Sequence, residues 1–119
     1  MIDMTNVEHI YMATGFTDLR KSIDGCASLV QYNLHLDPFS KSIFIFCNRH
    51  KNRIKILEWD RTGYWLYTKR LEGKNRFRWP KDTSDTSLCI DKEQLRWFLE
   101  GDEINRKKVH HEVNCIIEK

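Results

Sequence analysis

Between Ser42 and Pro80 apolar, aromatic and basic residues are interleaved over about a third of the chain, SIFIFCNRHKNRIKILEWDRTGYWLYTKRLEGKNRFRWP, with Ile43–Cys47 apolar on both faces as a central strand would be. A period of two sends successive side chains to opposite faces of a strand, so this stretch is committed to sheet. It is also where the charge is concentrated. From Arg49 to Lys81 there are eleven Lys and Arg against three acids, a local +8 in a chain whose formal net charge is +3. The remaining residues together carry −5. So uneven a balance points to one positive face, and a polyanion is the commonest partner for such a face.

At 119 residues the chain holds one hydrophobic core and one domain, expected over 1–103, with 104–119 as a basic extension or short helix. Its longest apolar run, Ile43–Cys47, is far below the roughly 20 residues that span a bilayer, and the start MIDMTNVEH lacks a basic segment followed by an apolar one. The expectation is a cytoplasmic protein with no membrane partner. The four cysteines, 26, 47, 89 and 115, form no Cys-x-x-Cys pair, and reduced, mostly buried thiols are the default.

The coarse reading is α+β: an antiparallel meander of about five strands packed by two main helices. Residues 8–13 alternate as a short strand. Thr17 is a good N-cap with Asp18 in the first turn, and Leu19, Ile23, Cys26, Val30 and Leu34 recur at helical spacing, predicting a helix over 18–33. Gly25 within it suggests close approach to the sheet. After the Asp37-Pro38-Phe39-Ser40 turn come strands at 43–47, 53–59 with a bulge near Leu57-Glu58, 64–71 after a turn with Gly63 in a left-handed conformation, and 76–79, with 86–90 as one more candidate. Asp91 and Gln94 form a capping box, Ile90 and Leu95 a hydrophobic staple, and Leu95, Phe98 and Leu99 face inward until Gly101 stops the helix.

Catalytic patterns are sparse. The five glycines are isolated, and there is neither a phosphate-binding loop nor a Gly-x-Ser-x-Gly elbow. His110, His111 and Cys115 lack the second ligand pair that a closed zinc site needs. A metal-dependent nuclease would require converging carboxylates, and Asp18, Asp24, Asp37, Asp60 and Glu72 are scattered, several of them already suited to turns or a helix start. No cofactor is implied. Nucleic-acid binding is the sharper proposal, with Arg49, Lys51, Arg53, Lys55, Lys69, Arg70, Arg76 and Arg78 neutralising phosphates and Trp65, Tyr67 or Trp79 stacking on bases. Against it, Phe77 and Trp79 alternate with Arg76 and Arg78, the pattern of core rings beneath a solvated basic surface. Arg20 and Lys21 belong either to the same surface or to an ordinary helix face.

Several of these segments, taken in order, carry a resemblance: TDLRKSIDG from Thr17, LDPFS from Leu36, IFIFCNR from Ile43, RIKIL-x-WD-x-x-G from Arg53, KRLE from Lys69 and FRWP from Phe77. Over about residues 8–103 the chain resembles the accessory protein encoded by the second open reading frame of insertion-sequence-66-type transposons, often labelled TnpB. The resemblance implies a non-catalytic role in transposition of a bacterial mobile element, with DNA at the transposon ends, the transposase and a second accessory protein as partners. In that family the strand-transfer chemistry is attributed to the transposase, and no catalytic residues carry over. The alternatives are an assembly module that binds the transposase without touching DNA, and a small metal-dependent nuclease.

Overall fold

Ser42–Cys47 (β2) is buried at all six positions, which an isolated amphipathic strand never is. It lies at the centre of a five-stranded sheet and is covered on both faces. A computed structural model describes residues 4–80 and 85–100 of the chain. The remaining strands are His9–Ala13 (β1), Arg53–Trp59 (β3), Tyr64–Arg70 (β4) and Ser87–Ile90 (β5), in the order β4-β3-β2-β1-β5.

The sequence reading of a meander holds for β2, β3 and β4, which pair antiparallel in series. The sheet as a whole is mixed, because β1 and β2 run parallel, His9 opposite Ser42 and Met12 opposite Ile45. Parallel neighbours require a crossover, supplied by helix α1 (Ile23–Ser28) and the π-helical turn Leu29–Asn33 that continues it. β5 then closes the other edge antiparallel to β1.

Two apolar layers result. On one face Ile10, Met12, Ile43, Ile45, Ile54, Ile56, Leu88 and Ile90 pack with Leu95 and Phe98 of helix α2 (Lys92–Leu99) and with Phe77 and Trp79. On the other, Tyr11, Phe44, Phe46, Leu57 and Cys89 meet Leu19, Cys26, Val30 and Leu34. This two-sided cover explains why the alternation of β3 slips at Leu57. There is no bulge there: the register against β2 and β4 runs unbroken through Leu57 and Glu58, and Leu57 is apolar because the crossover helix covers the second face.

Helix α1 begins later than the N-cap pattern suggested. The Thr17 amide is tied to the Cys47 carbonyl at 2.8 Å, and Asp18 accepts from the Arg20 amide at 3.0 Å, so both are committed to a turn. Ser22 takes the cap, its hydroxyl accepting from the Gly25 amide. The predicted apolar stripe nonetheless faces inward, with Leu19, Cys26, Val30 and Leu34 all buried. A Cβ on Gly25 would come within 3.0 Å of the Lys21 side chain rather than of the sheet. In the β3–β4 turn the left-handed residue is Arg61 (φ 77°), not Gly63, since the Asp60 carboxylate gathers the Thr62 and Gly63 amides.

The alternation at Arg76–Trp79 is not a strand. The segment crosses one end of the sheet, the Phe77 amide donating to the Lys51 carbonyl at 2.6 Å and the Trp79 indole to the Gly15 carbonyl at 2.9 Å. Phe77 stacks on Phe98 (5.2 Å between ring centroids) and Trp79 meets the same ring edge-on. The rings are core and the arginines are surface, as the in-out pattern indicated. At α2 the capping box is complete, with Gln94 N–H to Asp91 Oδ1 at 2.7 Å and Asp91 N–H to Gln94 Oε1 at 2.9 Å. Gly101 and the extension 104–119 lie outside the described residues. Cys26 and Cys47 are free and buried.

Phe77→Ala is expected to lower unfolding free energy in urea by about 3–5 kcal/mol, while Arg76→Ala and Arg78→Ala stay within roughly 0.5 kcal/mol of the parent. Burial pushes the Cys47 thiol from 9.0 up to about 12, outweighing the attraction of Lys51. A raised folded-state value means that the folded protein keeps a proton the unfolded chain releases. This contribution is therefore complete below pH 9 and is lost as pH rises from 9 toward 12. The urea midpoint of the parent should fall more steeply across that window than that of Cys47→Ala, and the Cys26 and Cys47 thiols should react with a thiol reagent only after denaturation.

Candidate nucleic-acid interface

The loop from Asn48 to Asn52 joins β2 to β3 and is held by one side chain. Asn48 Oδ1 accepts from the amides of Asn52 and Arg53, both at 3.1 Å, and Asn48 Nδ2 donates to Asn52 Oδ1 at 2.7 Å. Lys51 adopts a left-handed conformation (φ 58°) within it. Further bonds from the Leu71 amide to Asn52 and the Phe77 amide to Lys51 tie the loop to the segment after β4. Arg49 and His50 are therefore displayed from a braced platform, exposed to solvent.

Strand direction decides which basic residues meet there. β3 starts at this end and β4 finishes at it, so Arg53 and Arg70 stand directly opposite each other on one face. Arg76 and Arg78 follow on the crossing segment. Six of the eight predicted contacts, Arg49, Lys51, Arg53, Arg70, Arg76 and Arg78, thus gather around the carboxyl ends of the parallel strands β1 and β2, where ligands of open α/β sheets usually sit.

The other two do not join them. Lys55 lies farther along β3 on the crossover-helix face, its Nζ donating to the Lys21 carbonyl at 3.0 Å. Lys69 is on the opposite face, where its Nζ donates to the Leu99 carbonyl at the end of α2, at 2.8 Å. Both satisfy backbone acceptors, and Lys69 also complements the negative end of a helix. A single basic sheet face is thus replaced by a basic end.

Within that end, the loop after β1 and the β2–β3 loop flank an open pocket of about 430 Å³ lined by Phe16, Thr17, Asp18, Leu19, Arg20, Asn48, Arg49, His50 and Arg53. Arg20, left open by the sequence, belongs here. Its Nη2 reaches Asp18 Oδ2 at 2.6 Å, and this guanidinium contact, helped by the Arg20 amide, holds the Asp18 carboxyl well below the usual carboxylate range. The acid is thereby neutralised locally. Arg49, His50 and Arg53 make no side-chain ion pair with the described residues. Arg70 pairs with Glu72 at 2.7 Å on the exposed surface, where such pairs contribute little.

Directly opposed like charges destabilise a strand pair, and at Arg53–Arg70 the Glu72 carboxylate on Arg70 offsets part of that cost. Phe16 is 47% exposed and also lines an adjoining pocket with Thr14, Asn33 and Thr86. Sequence reasoning passed over Phe16 and His50; the available signal was an aromatic ring in a loop, outside every apolar register. Of the rings it did single out, Trp79 is buried, and Trp65 and Tyr67 stack on each other on the α2 face of β4. Trp65 also donates its indole N–H to the Asp60 carboxylate.

The carboxylates considered for metal chemistry are dispersed. Asp37 caps its turn through the Phe39 amide, Asp60 caps the β3–β4 turn at the far end, and Asp18 and Glu72 face arginines. Among the described residues no three His, Cys, Asp or Glu side chains converge, and no helix is long and apolar enough to cross a membrane. His110, His111 and Cys115 lie outside the described residues.

The family described as IS66 Orf2 like protein matches residues 8–109. Two relatives come from Sinorhizobium fredii. The uncharacterized protein y4hO is 35% identical over 92 residues, covering 77% of this chain and 78% of the relative. The uncharacterized protein y4jC is 31% identical over 108 residues, covering 91% of each. No solved structure matches the chain. Matching across the sheet, the crossover and the basic end alike, the chain belongs to the IS66 Orf2-like family of transposition-associated accessory proteins.

Proposed function

We propose that this accessory protein acts without catalysis of its own, binding transposon-end DNA in the bacterial cytoplasm through the basic end of its sheet and presenting it to the transposase and the second accessory protein. One observation carries the reading: Arg49, Lys51, Arg53, Arg70, Arg76 and Arg78, distant in sequence, converge on one end, with the nearby acids Asp18 and Glu72 each held by an arginine. The molecule measures 37 × 33 × 28 Å, dimensions comparable with one turn of duplex, roughly 34 Å. Arginine on a braced loop suits phosphate better than a mobile lysine does, because its planar fork is pre-organised.

Titrating the protein against a terminal-repeat duplex at several salt concentrations, by fluorescence anisotropy, should give a steep loss of affinity with salt. Arg49→Glu and Arg76→Glu should each weaken binding and lower the magnitude of the log–log salt slope by about 1. Lys55→Gln and Lys69→Gln, whose ammonium groups are engaged with carbonyls, should have smaller effects. An unchanged slope across all four variants would remove DNA from the reading.

A second reading rests on the opposite end. Phe39 is 56% exposed and packs edge-on against Trp59 at 4.9 Å and beside Tyr64 at 5.7 Å. Exposed aromatic clusters of this kind anchor protein partners. If this end holds the transposase, Phe39→Ala should abolish co-purification with it while leaving DNA affinity unchanged. Retained co-purification would exclude the Phe39 cluster as the contact.

A further inference from the structure

We infer that the pocket beside the Asn48 loop receives one unpaired nucleotide, its base against Phe16 and its phosphate on Arg49 and Arg53, so that the protein prefers DNA with an unstacked base to a fully paired duplex. This deepens the DNA-binding reading and rests on it.

Shape is the first argument. A duplex presents a convex backbone, which the exposed arginines outside the pocket can follow, but it cannot enter a concavity of about 430 Å³. That volume is in the range of small-ligand sites, and a single extruded nucleotide is a ligand of this size. Composition is the second. The pocket combines an aromatic ring with cations: Phe16 is half exposed, and Arg49 and Arg53 stand around it with the His50 ring beside them. Proteins that hold single-stranded DNA combine a stacking ring with backbone-tracking cations in the same way.

The third argument concerns what the residues leave free. Arg20 is occupied by Asp18, so the acid in the wall does not repel a phosphate. Arg49, His50 and Arg53 have no ion-pair partner among the described residues. Asn48 is spent on bracing its own loop. Recognition here is therefore by stacking and charge, and the site should tolerate any base.

The test compares two probes of equal length, a paired duplex and the same duplex carrying one unpaired fluorescent adenine analogue, against wild type, Phe16→Ala and Phe16→Trp. Wild type should bind the second probe more tightly and quench its fluorophore. Phe16→Ala should lose that preference, a drop of roughly 5- to 150-fold for one stacked base, while its affinity and salt slope on the paired duplex stay unchanged. Phe16→Trp should restore both the preference and the quenching. Equal wild-type affinity for the two probes with no quenching would overturn the inference and leave the DNA-binding reading standing. Failure to bind either probe at low salt would overturn both. A free deoxynucleoside monophosphate offers the same base and phosphate. If it displaces the unpaired probe at concentrations comparable to the probe's own dissociation constant, the site is one for mononucleotides and the strand reading falls.

Discussion

The rest of the structure depends on keeping water from both faces of β2. Six consecutive buried residues, Ser42–Cys47, cannot be sheltered by one layer, so the chain must cover the sheet twice. The crossover through α1 covers the Phe44–Phe46 face, and α2 with Phe77 and Trp79 covers the Ile43–Ile45 face. Each cover has a geometric consequence. Returning through a helix makes β1 and β2 parallel, which places their carboxyl ends side by side. Sending two rings under α2 drags the Arg76–Arg78 segment across that same end, where it is pinned by the Lys51 and Gly15 carbonyls.

The basic end is thus a by-product of burial. Residues that flank the strands are forced out at the loops, and at this end the loops carry arginine. The opposite end, with Asp37 and Asp60 in its turns, is organised by carboxylates that cap amides. Apolar burial holds the fold together, and charge is then distributed by strand direction. Within the basic end, Asn48 does for the β2–β3 loop what a hairpin turn of fixed type would do elsewhere. It satisfies two backbone donors and leaves Arg49 and His50 pointing outward.

Much of this was legible in the residues. β1 and β3 follow from period-two alternation, β2 from a run apolar on both faces, β4 from the turn that pairs it back on β3, and α2 from a capping box whose two hydrogen bonds are both formed. The inward set of the first helix was readable even though its start was not, because apolar spacing reports packing, whereas Thr17 and Asp18 compete for several local hydrogen bonds and tertiary contacts decide between them. Phe77 and Trp79 show the limit of alternation. An in-out pattern says which side chains are buried and says nothing of whether the backbone pairs, so a segment crossing the sheet end reads like a strand within it. The same ambiguity produced the expected bulge at Leu57, where a second covered face, not an extra residue, breaks the pattern.

By itself the sequence determined the α+β class, the buried set, the positive bias of 49–81 and, through ordered motifs, the family. Those are properties of residue type and spacing, which persist whatever the chain's path. Only the tertiary structure decided the parallel β1–β2 pair, the separation of Lys55 and Lys69 onto opposite faces, and the meeting of Phe16 and Arg20 with Arg49 and Arg53. Such juxtapositions join residues about 30 positions apart, and they arise from strand order and direction, which local periodicity does not encode.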